Sequence, residues 1–194
     1  MEVMANANQT SSRGRYGVSR QQWLSAALDL LEQRGIEAVR VQSLAKTLKV
    51  NKSGFYWHFK DREELLQSLL HFWSDLEERP LVDAGPDPIA SPEATLRTLA
   101  DVVDNKNLSR FDAAIRQWAK SDGRVAEIYR SKMLRRLEFI RSIFQELGFD
   151  KEAAEMRSRT FVAFVSTERE VFDDLSPAER RKIRSAQLDL LISK

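Results

Sequence analysis

Signals for helix starts and stops recur along this chain from residue 19 onwards, and they constrain its fold more than any other feature. Ser19 followed by Gln22 has the pattern of a capping box, and Gly35 stands where a left-handed residue would end the helix. Between them, apolar residues recur at α-helical spacing, whereas the alternation typical of a β-strand is nearly absent from the chain. The sequence therefore predicts an all-α protein of about nine helices.

Composition excludes several classes of protein. With 194 residues, 42% of them hydrophobic and 31% charged, the chain suits one domain or two small ones with packed cores. It has no cysteine, which excludes disulfides, thiolate zinc sites, iron–sulfur clusters and cysteine nucleophiles. No run approaches the roughly 18 apolar residues of a membrane span, and the N-terminus lacks the pattern of a signal peptide. We expect a cytoplasmic protein without a membrane partner.

Positive charge is concentrated near the N-terminus. Residues 11–60 hold nine Lys or Arg against three acidic residues, whereas residues 61–90 hold two against eight. Such an asymmetry suits a polyanion such as nucleic acid, although a cationic arm on an ordinary surface gives the same count. Arg13 and Arg15, in the N-terminal arm, are either minor-groove contacts or part of a plain tail.

Two short apolar patterns follow the first helix, over residues 41–48 and 52–58, and Asn51 between them can cap the second. Helices this short are marginal in water, so packing must hold them, with Phe55 and Phe59 pointing inward. Two short helices joined by a tight turn and supported by amphipathic neighbours predict a helix-turn-helix.

Further signals divide the rest of the chain. Asp61 and Glu64 predict a capping box for a longer helix that closes before Pro80. The Pro- and Gly-rich segment 83–92 marks a loop. About five C-terminal helices follow, the longest over about 122–147, with starts predicted at Ser91, Ser109, Ser121-Asp122, Asp150 and Ser176. The predicted division is a flexible arm (1–18), a helix-turn-helix domain (19–79) and a helical domain (80–194).

Residues 44–66 read LAKTLKVNKSGFYWHFKDREELL, and this run resembles the DNA-binding signature of the tetracycline-repressor (TetR) family. The likeness is close over residues 19–66, and the helix plan of the remainder fits loosely. It implies a transcriptional regulator, usually a repressor, that binds a palindromic operator as a homodimer and is released by a small-molecule effector. Two features depart from the family pattern: Lys49 replaces the usual turn glycine, and the helix starting near Arg40 lacks a good N-cap.

The resemblance implies two sets of DNA contacts. A helix that enters the major groove by its first residues needs short polar groups there, and Gln and Lys can pair with adenine and guanine edges. The implied base contacts are Gln42, Lys52, Ser53 and Gly54. The implied phosphate contacts are Tyr56, Trp57, His58, Lys60 and Arg62.

Several of these residues have structural alternatives. Trp57 can pack beside the groove instead of binding phosphate, and His58 can be a half-buried supporting residue. Lys60 and Arg62 can be solvated charges near the start of a helix. Phe55 and Phe59 are expected in the core, with no direct role in binding DNA.

The resemblance also implies effector binding and dimerisation from about residue 91 onward. Large apolar residues that either line a pocket or fill a solid core are Phe111, Trp118, Tyr129, Met133, Phe161 and Phe164. Candidates for the dimer interface, or alternatively for burial within the monomer, are Phe161, Val162, Val165, Ile183, Leu188 and Leu191. The basic run Arg130, Lys132, Arg135, Arg136 and Arg141 is interleaved with Glu127 and Glu138, which predicts a solvated face.

Two other functional classes were weighed. The sequence lacks the residue patterns that common enzyme active sites use. Both histidines, His58 and His71, precede residue 80, and no Gly-rich phosphate loop or Glu-x-x-His pair is present. We therefore predict no catalytic residue, no metal site and no cofactor. The alternative to a ligand-released repressor is a DNA-bound adaptor or nucleoid-associated protein that responds to a protein partner and not to a small ligand.

Overall fold

The computed structural model describes residues 17–83, 91–105 and 107–193, and within them the chain forms only helices, turns and loops. Short 3-10 helices lie at Ile36–Ala38 and Leu108–Phe111. The α-helices are α1 (Arg20–Arg34), α2 (Val41–Leu48), α3 (Ser53–Tyr56), α4 (Arg62–Asp83), α5 (Pro92–Asn105), α6 (Asp112–Ala119), α7 (Gly123–Glu146), α8 (Lys151–Val171) and α9 (Pro177–Ile192). The all-α prediction is confirmed.

Local capping explains most of these boundaries. The Ser19 side chain accepts from the backbone N–H of Gln22, whose own side chain accepts from the Ser19 N–H at 2.7 Å, so the predicted capping box is confirmed. Ser176 and Glu179 form the same reciprocal pair at the start of α9. The Ser176 hydroxyl and the Ser176 backbone N–H both donate to the Glu179 carboxylate, which lowers the pKa of Glu179 because these bonds favour its charged form. Asp150 caps α8 by accepting from the N–H of Ala153.

Three predicted details were wrong. Helix α4 continues to Asp83 instead of closing before Pro80, because proline costs one backbone hydrogen bond and crowds the carbonyl four residues earlier but keeps a φ that a helix allows. Asn51 does not cap α3, which starts after Lys52 without a side-chain cap and spans four residues. Ser109, predicted to start a helix, lies inside the 3-10 helix Leu108–Phe111 instead, and α6 begins at Asp112.

The first core cluster joins the helix-turn-helix to part of the C-terminal region. It contains buried residues of α1 to α4, among them Trp23, Leu44 and Trp73, together with Ile115 and Trp118 of α6. Phe111 and Val125 are buried in the same cluster. The helices nearest the N-terminus therefore share a continuous core with α6 and the first turns of α7. The domain boundary at residue 80 stays a prediction.

The second core cluster lies among α5, α7, α8 and α9. Leu96, Phe144, Phe161 and Leu188 are among its buried members. Helix α7 contributes to both clusters, so it spans the distance between the helix-turn-helix and the last two helices. This makes α7 the structural connection between the two ends of the molecule.

The basic run on α7 is not a solvated face throughout, and that prediction was wrong. Lys132 is 3% exposed and its Nζ donates to the carbonyl of Trp73 at 2.8 Å, while lying 4.0 Å from the centroid of the Trp73 ring. The side chain of Arg136 is only 17% exposed and pairs with Asp112. Helical spacing of charges does not distinguish a solvated face from one whose cations are paired with a neighbouring helix.

Lys49 adopts the left-handed conformation that the turn between α2 and α3 requires, with φ 56° and ψ 43°. A side chain in this region crowds its own carbonyl, so Lys49→Gly is expected to raise the free energy of unfolding by up to about 1 kcal/mol. Denaturant unfolding monitored by circular dichroism measures the change. The matched control, Lys46→Gly inside α2, should lower stability by about 1 kcal/mol. A loss of similar size in both variants would contradict the strain argument.

Candidate nucleic-acid interface

The interface is built on a buried aromatic cluster. Phe55 and Phe59 are fully buried, and their ring centroids lie 5.2 Å apart. Phe55 also meets the ring of Trp23 edge to face at 5.6 Å. This cluster anchors the inner side of α3 to α1, so a helix of four residues is held by packing. The expected core role of Phe55 and Phe59 is confirmed.

The residues around α3 that do not enter this cluster face outward. Tyr56 is 61% exposed and Trp57 is 87% exposed, an unusual state for large aromatic side chains. Lys52, Ser53 and Lys60 are also exposed, and Gln42 is exposed on α2. The left-handed Lys49 sets the turn that brings α2 and α3 together, with the N–H of Val50 donating to the carbonyl of Ala45. The structure thus presents polar and aromatic groups on one side of a packed motif.

Gly54 is partly exposed within α3 and has an ordinary helical conformation. A Cβ built on it would lie 3.9 Å from the Trp23 ring, an ordinary van der Waals distance. The fold itself therefore has room for alanine at this position. A requirement for glycine here would come from something that approaches α3 from outside.

His58 and Arg62 have partners within the protein. The Nε2 atom of His58 lies 2.8 Å from the carbonyl oxygen of Val18 and the ring is half-buried, which matches its supporting alternative. Arg62 donates from Nε to the carbonyl of Val39 at 2.7 Å and from its terminal nitrogen to that of Ile36 at 2.9 Å. These bonds tie the start of α4 to the loop before α2. They direct the guanidinium of Arg62 inward, so we do not include it among the proposed phosphate contacts.

The structure describes only the last residues of the N-terminal arm, Gly17 and Val18. Arg13 and Arg15 lie outside the described residues. Val18 is half-buried and packs against the first core cluster, and its carbonyl meets His58. The arm therefore joins the motif beside α3, and a surface hollow of about 1080 Å³ lies between Gly17, Trp23 and Trp57.

A separate pocket of about 540 Å³ lies in the C-terminal region between α5, α7 and α8. We call it the α5–α7–α8 pocket. It is lined by Leu99, Val103, Ser109, Arg136, Phe139, Ile140, Phe161, Val162, Val165 and Ser166. Its wall is mostly apolar with a few polar groups, as the walls of small-molecule sites usually are.

Of the six predicted pocket residues, only Phe161 lines this pocket. Phe111 and Trp118 are buried in the first core cluster, and Tyr129 stacks on Trp73 with ring centroids 6.0 Å apart. Burial raises the pKa of the Tyr129 phenol. Met133 lies against Arg136, and Phe164 borders a smaller cleft near Arg184. Large apolar residues on helices do not reveal which core they enter, because that depends on how the helices pack.

The predicted dimer residues divide by burial. Phe161, Leu188 and Leu191 are buried within the monomer, as the alternative expected. Val162 and Val165 are partly buried against the second core cluster and line the pocket. Only Ile183 is exposed. Leu190 lies seven residues after Ile183 on the same face of α9 and is 71% exposed.

No group of three or more His, Asp and Glu side chains among the described residues is arranged to hold a metal ion. None of the helices over the same residues combines the length and apolarity needed to cross a bilayer.

Comparison with known proteins identifies the helix-turn-helix. Residues 24–69 match the family of bacterial regulatory proteins of the tetR type. A segment of 46 residues is 39% identical to the class A tetracycline repressor of Escherichia coli, covering 24% of this chain and 21% of that protein. A segment of 52 residues is 38% identical to the HTH-type regulator YuxN of Bacillus subtilis, covering 27% of this chain and 18% of that protein. The chain therefore spans about a fifth of the length of these curated relatives.

Solved structures extend the likeness over nearly the whole chain. The TetR-family regulator PfmR of Thermus thermophilus is 25% identical, with a TM-score of 0.66 over 91% of this chain and 97% of its own. A transcriptional regulator of Rhodococcus is 21% identical, with a TM-score of 0.69 over 90% of this chain and 94% of its own. The matched motif and the shared fold agree with the geometry around α3: residues 24–69 form a DNA-binding motif of the tetR type, and the chain has the fold of TetR-family regulators.

Proposed function

We propose that this protein is a DNA-binding transcriptional repressor, which binds a palindromic operator as a homodimer and leaves it when a small molecule binds the C-terminal region. The observation that carries the proposal is the contrast across α3. Its inner residue Phe55 is fully buried, whereas Tyr56 and Trp57 next to it are exposed. A motif that leaves two large aromatic side chains in water beside Lys52 and Lys60 is suited to a partner that supplies phosphates and base edges.

The proposal is tested by selecting DNA from a randomised duplex library with the ligand-free protein at two salt concentrations. Enrichment of an inverted repeat whose half-sites lie about one helical turn apart is expected. Affinity should fall steeply with salt, because phosphate contacts release counterions. Failure to enrich any sequence at either salt concentration, with a folded protein, would contradict the proposal.

Individual substitutions separate the two kinds of proposed contact. Gln42→Ala and Lys52→Ala should each lose about 1–3 kcal/mol of discrimination between operator and random DNA. Tyr56→Ala and Lys60→Ala should weaken binding to both DNAs by a similar factor, because phosphates carry no sequence information. Fluorescence anisotropy with two labelled duplexes measures both effects. Equal losses on both DNAs for all four variants would refute the assignment of base contacts.

The proposed dimer is supported by an uncharged stripe on α8 and α9. Met156, Thr160 and Ala163 are exposed at helical spacing along one face of α8. Ile183 and Leu190 are exposed on one face of α9. Both helices pack on the second core cluster, and Arg157 of α8 donates to the carbonyl of Leu191. Exposed apolar side chains on two helices that pack on the same core favour association with a second copy.

Leu190→Glu is expected to dissociate the dimer, because it places a charge on the exposed apolar face of α9. Light scattering should give twice 22.4 kDa for the parent protein and 22.4 kDa for the variant at the same concentration. The matched control is Leu134→Glu, since Leu134 is 54% exposed on α7, outside the stripe. A parent protein of 22.4 kDa at micromolar concentration would contradict the homodimer, and dissociation by the control would contradict the location.

A further inference from the structure

Arg136 is the one charged side chain among the described residues that line the α5–α7–α8 pocket. The other lining groups are seven apolar side chains and the hydroxyls of Ser109 and Ser166. A guanidinium at the wall of an apolar pocket is a strong and directional donor, since it offers several N–H groups in one plane.

Arg136 is already paired with an acidic residue outside the pocket wall. Its two terminal nitrogens lie 2.6 and 3.3 Å from the two carboxylate oxygens of Asp112. The Asp112 side chain is 3% exposed, and Asp112 is the first residue of α6. The charge at this end of the pocket is therefore balanced by a carboxylate that belongs to a different helix.

We propose that the α5–α7–α8 pocket binds a small molecule with an apolar body and one carboxylate, and that this carboxylate competes with Asp112 for the guanidinium of Arg136. The inference rests on the proposed function, in which a small molecule acts through the C-terminal region. It adds the chemical class of that molecule and the contact through which it acts.

The chemistry of the lining favours a carboxylate over other polar groups. A carboxylate can accept two parallel hydrogen bonds from Arg136, as Asp112 now does. A cationic group would be repelled by Arg136. A neutral alcohol can use only the two serine hydroxyls and leaves the Arg136–Asp112 pair undisturbed. The apolar body is held by Leu99, Ile140 and Phe161 in each case.

Competition for Arg136 reaches the DNA-binding helices through α6. When the ligand carboxylate binds Arg136, Asp112 is left as a buried carboxylate that has lost this partner. A buried carboxylate without a partner is unfavourable, which favours movement of the first turn of α6 toward water. Ile115 and Trp118 of α6 are buried in the same core cluster as Trp23 and Phe55. Just before α6, Arg110 pairs with Asp29 of α1 at 2.9 Å. A shift of α6 therefore changes contacts that position α1 and α3.

Three probes that differ only in their head group test the proposal: decanoate, decan-1-ol and decylamine, each below its micelle concentration. Isothermal titration calorimetry with the full chain measures their affinities. Decanoate should bind at least about fivefold more tightly than decan-1-ol, and decylamine should bind most weakly. Decan-1-ol binding as tightly as decanoate, or no binding by decanoate, would overturn the assigned ligand class.

Two variants test the competition. Asp112→Asn removes the competing charge, so it should raise the affinity for decanoate by about fivefold or more and leave that for decan-1-ol unchanged. The double variant Asp112→Asn with Arg136→Gln should bind both probes equally. A purely structural role for Asp112 predicts the opposite, a weakening of all probes alike. Unchanged decanoate affinity in the folded Asp112→Asn variant would overturn the competition.

Hydrogen exchange on the parent protein gives a readout that needs no variant. Decanoate should speed exchange of the backbone amides of residues 112–119, and decan-1-ol should not. Protection of α6 by decanoate would overturn the coupling.

The DNA selection uses ligand-free protein, so its failure would refute the proposed function whatever the probes do. Operator binding that decanoate leaves unchanged would refute only the present inference.

Discussion

Replacing Phe55 with alanine is expected to lower the free energy of unfolding by about 3–5 kcal/mol. The side chain is fully buried between Trp23 and Phe59, and its removal leaves a cavity that α3 cannot fill. A helix of four residues has little stability of its own. DNA binding should be lost together with the structure of the motif. Denaturant unfolding and circular dichroism measure the change.

The neighbouring residue is the matched control. Tyr56 is 61% exposed and contacts Phe55 only edge to face, so Tyr56→Ala should change stability by no more than about 1 kcal/mol. It should nevertheless weaken DNA binding. Phe55→Leu, which keeps most of the buried volume, should retain more stability than Phe55→Ala. A small loss of stability for Phe55→Ala would show that the aromatic cluster does not hold α3.

Replacing Arg136 with methionine is expected to lower the free energy of unfolding by about 3–5 kcal/mol, because Asp112 would remain as a buried and unpaired carboxylate. The double variant Asp112→Asn with Arg136→Met removes both charges and should recover most of the loss. Denaturant unfolding of the single and double variants gives the coupling between the two sites.

An exposed pair provides the comparison. Arg124 and Glu63 lie 2.8 Å apart with side chains 65% and 54% exposed, so Arg124→Met should leave the denaturation midpoint almost unchanged. A midpoint shift for Arg136→Met as small as that for Arg124→Met would mean that Asp112 is not held by this pair. It would also remove the basis for coupling between the pocket and α6.

The DNA-binding motif was largely predictable because its signals are local in sequence. Ser19 and Gln22 are three residues apart and form their capping box within one helical turn. Phe55 and Phe59 are four apart, so they share one face and enter the core together. Lys49 departs from the glycine usual at this turn in the family, and the structure nevertheless shows it in the left-handed conformation. The roles of Gln42 and Lys52 at base edges stay predictions.

Residues whose roles depend on distant partners were not predictable. Arg62 resembles a phosphate contact by position, yet its guanidinium binds the carbonyls of Val39 and Ile36, more than twenty residues earlier. Arg136 resembled a solvated residue because acidic residues flank it at helical spacing, yet its partner is Asp112 on another helix. Sequence spacing describes neighbours on one helix and does not describe the helix packed against it.

The sequence by itself determined the all-α class, the order and most boundaries of the helices, and the helix-turn-helix with its buried and exposed faces. Each depends on caps, turns and periodicity within a few residues, which act before the chain is packed. Only the tertiary structure decided that α6 shares a core with α1 to α4, that a pocket lies between α5, α7 and α8, and that Ile183 and Leu190 stay exposed while Leu188 is buried. These depend on how amphipathic helices orient against one another, which apolar residues on a single helix do not encode.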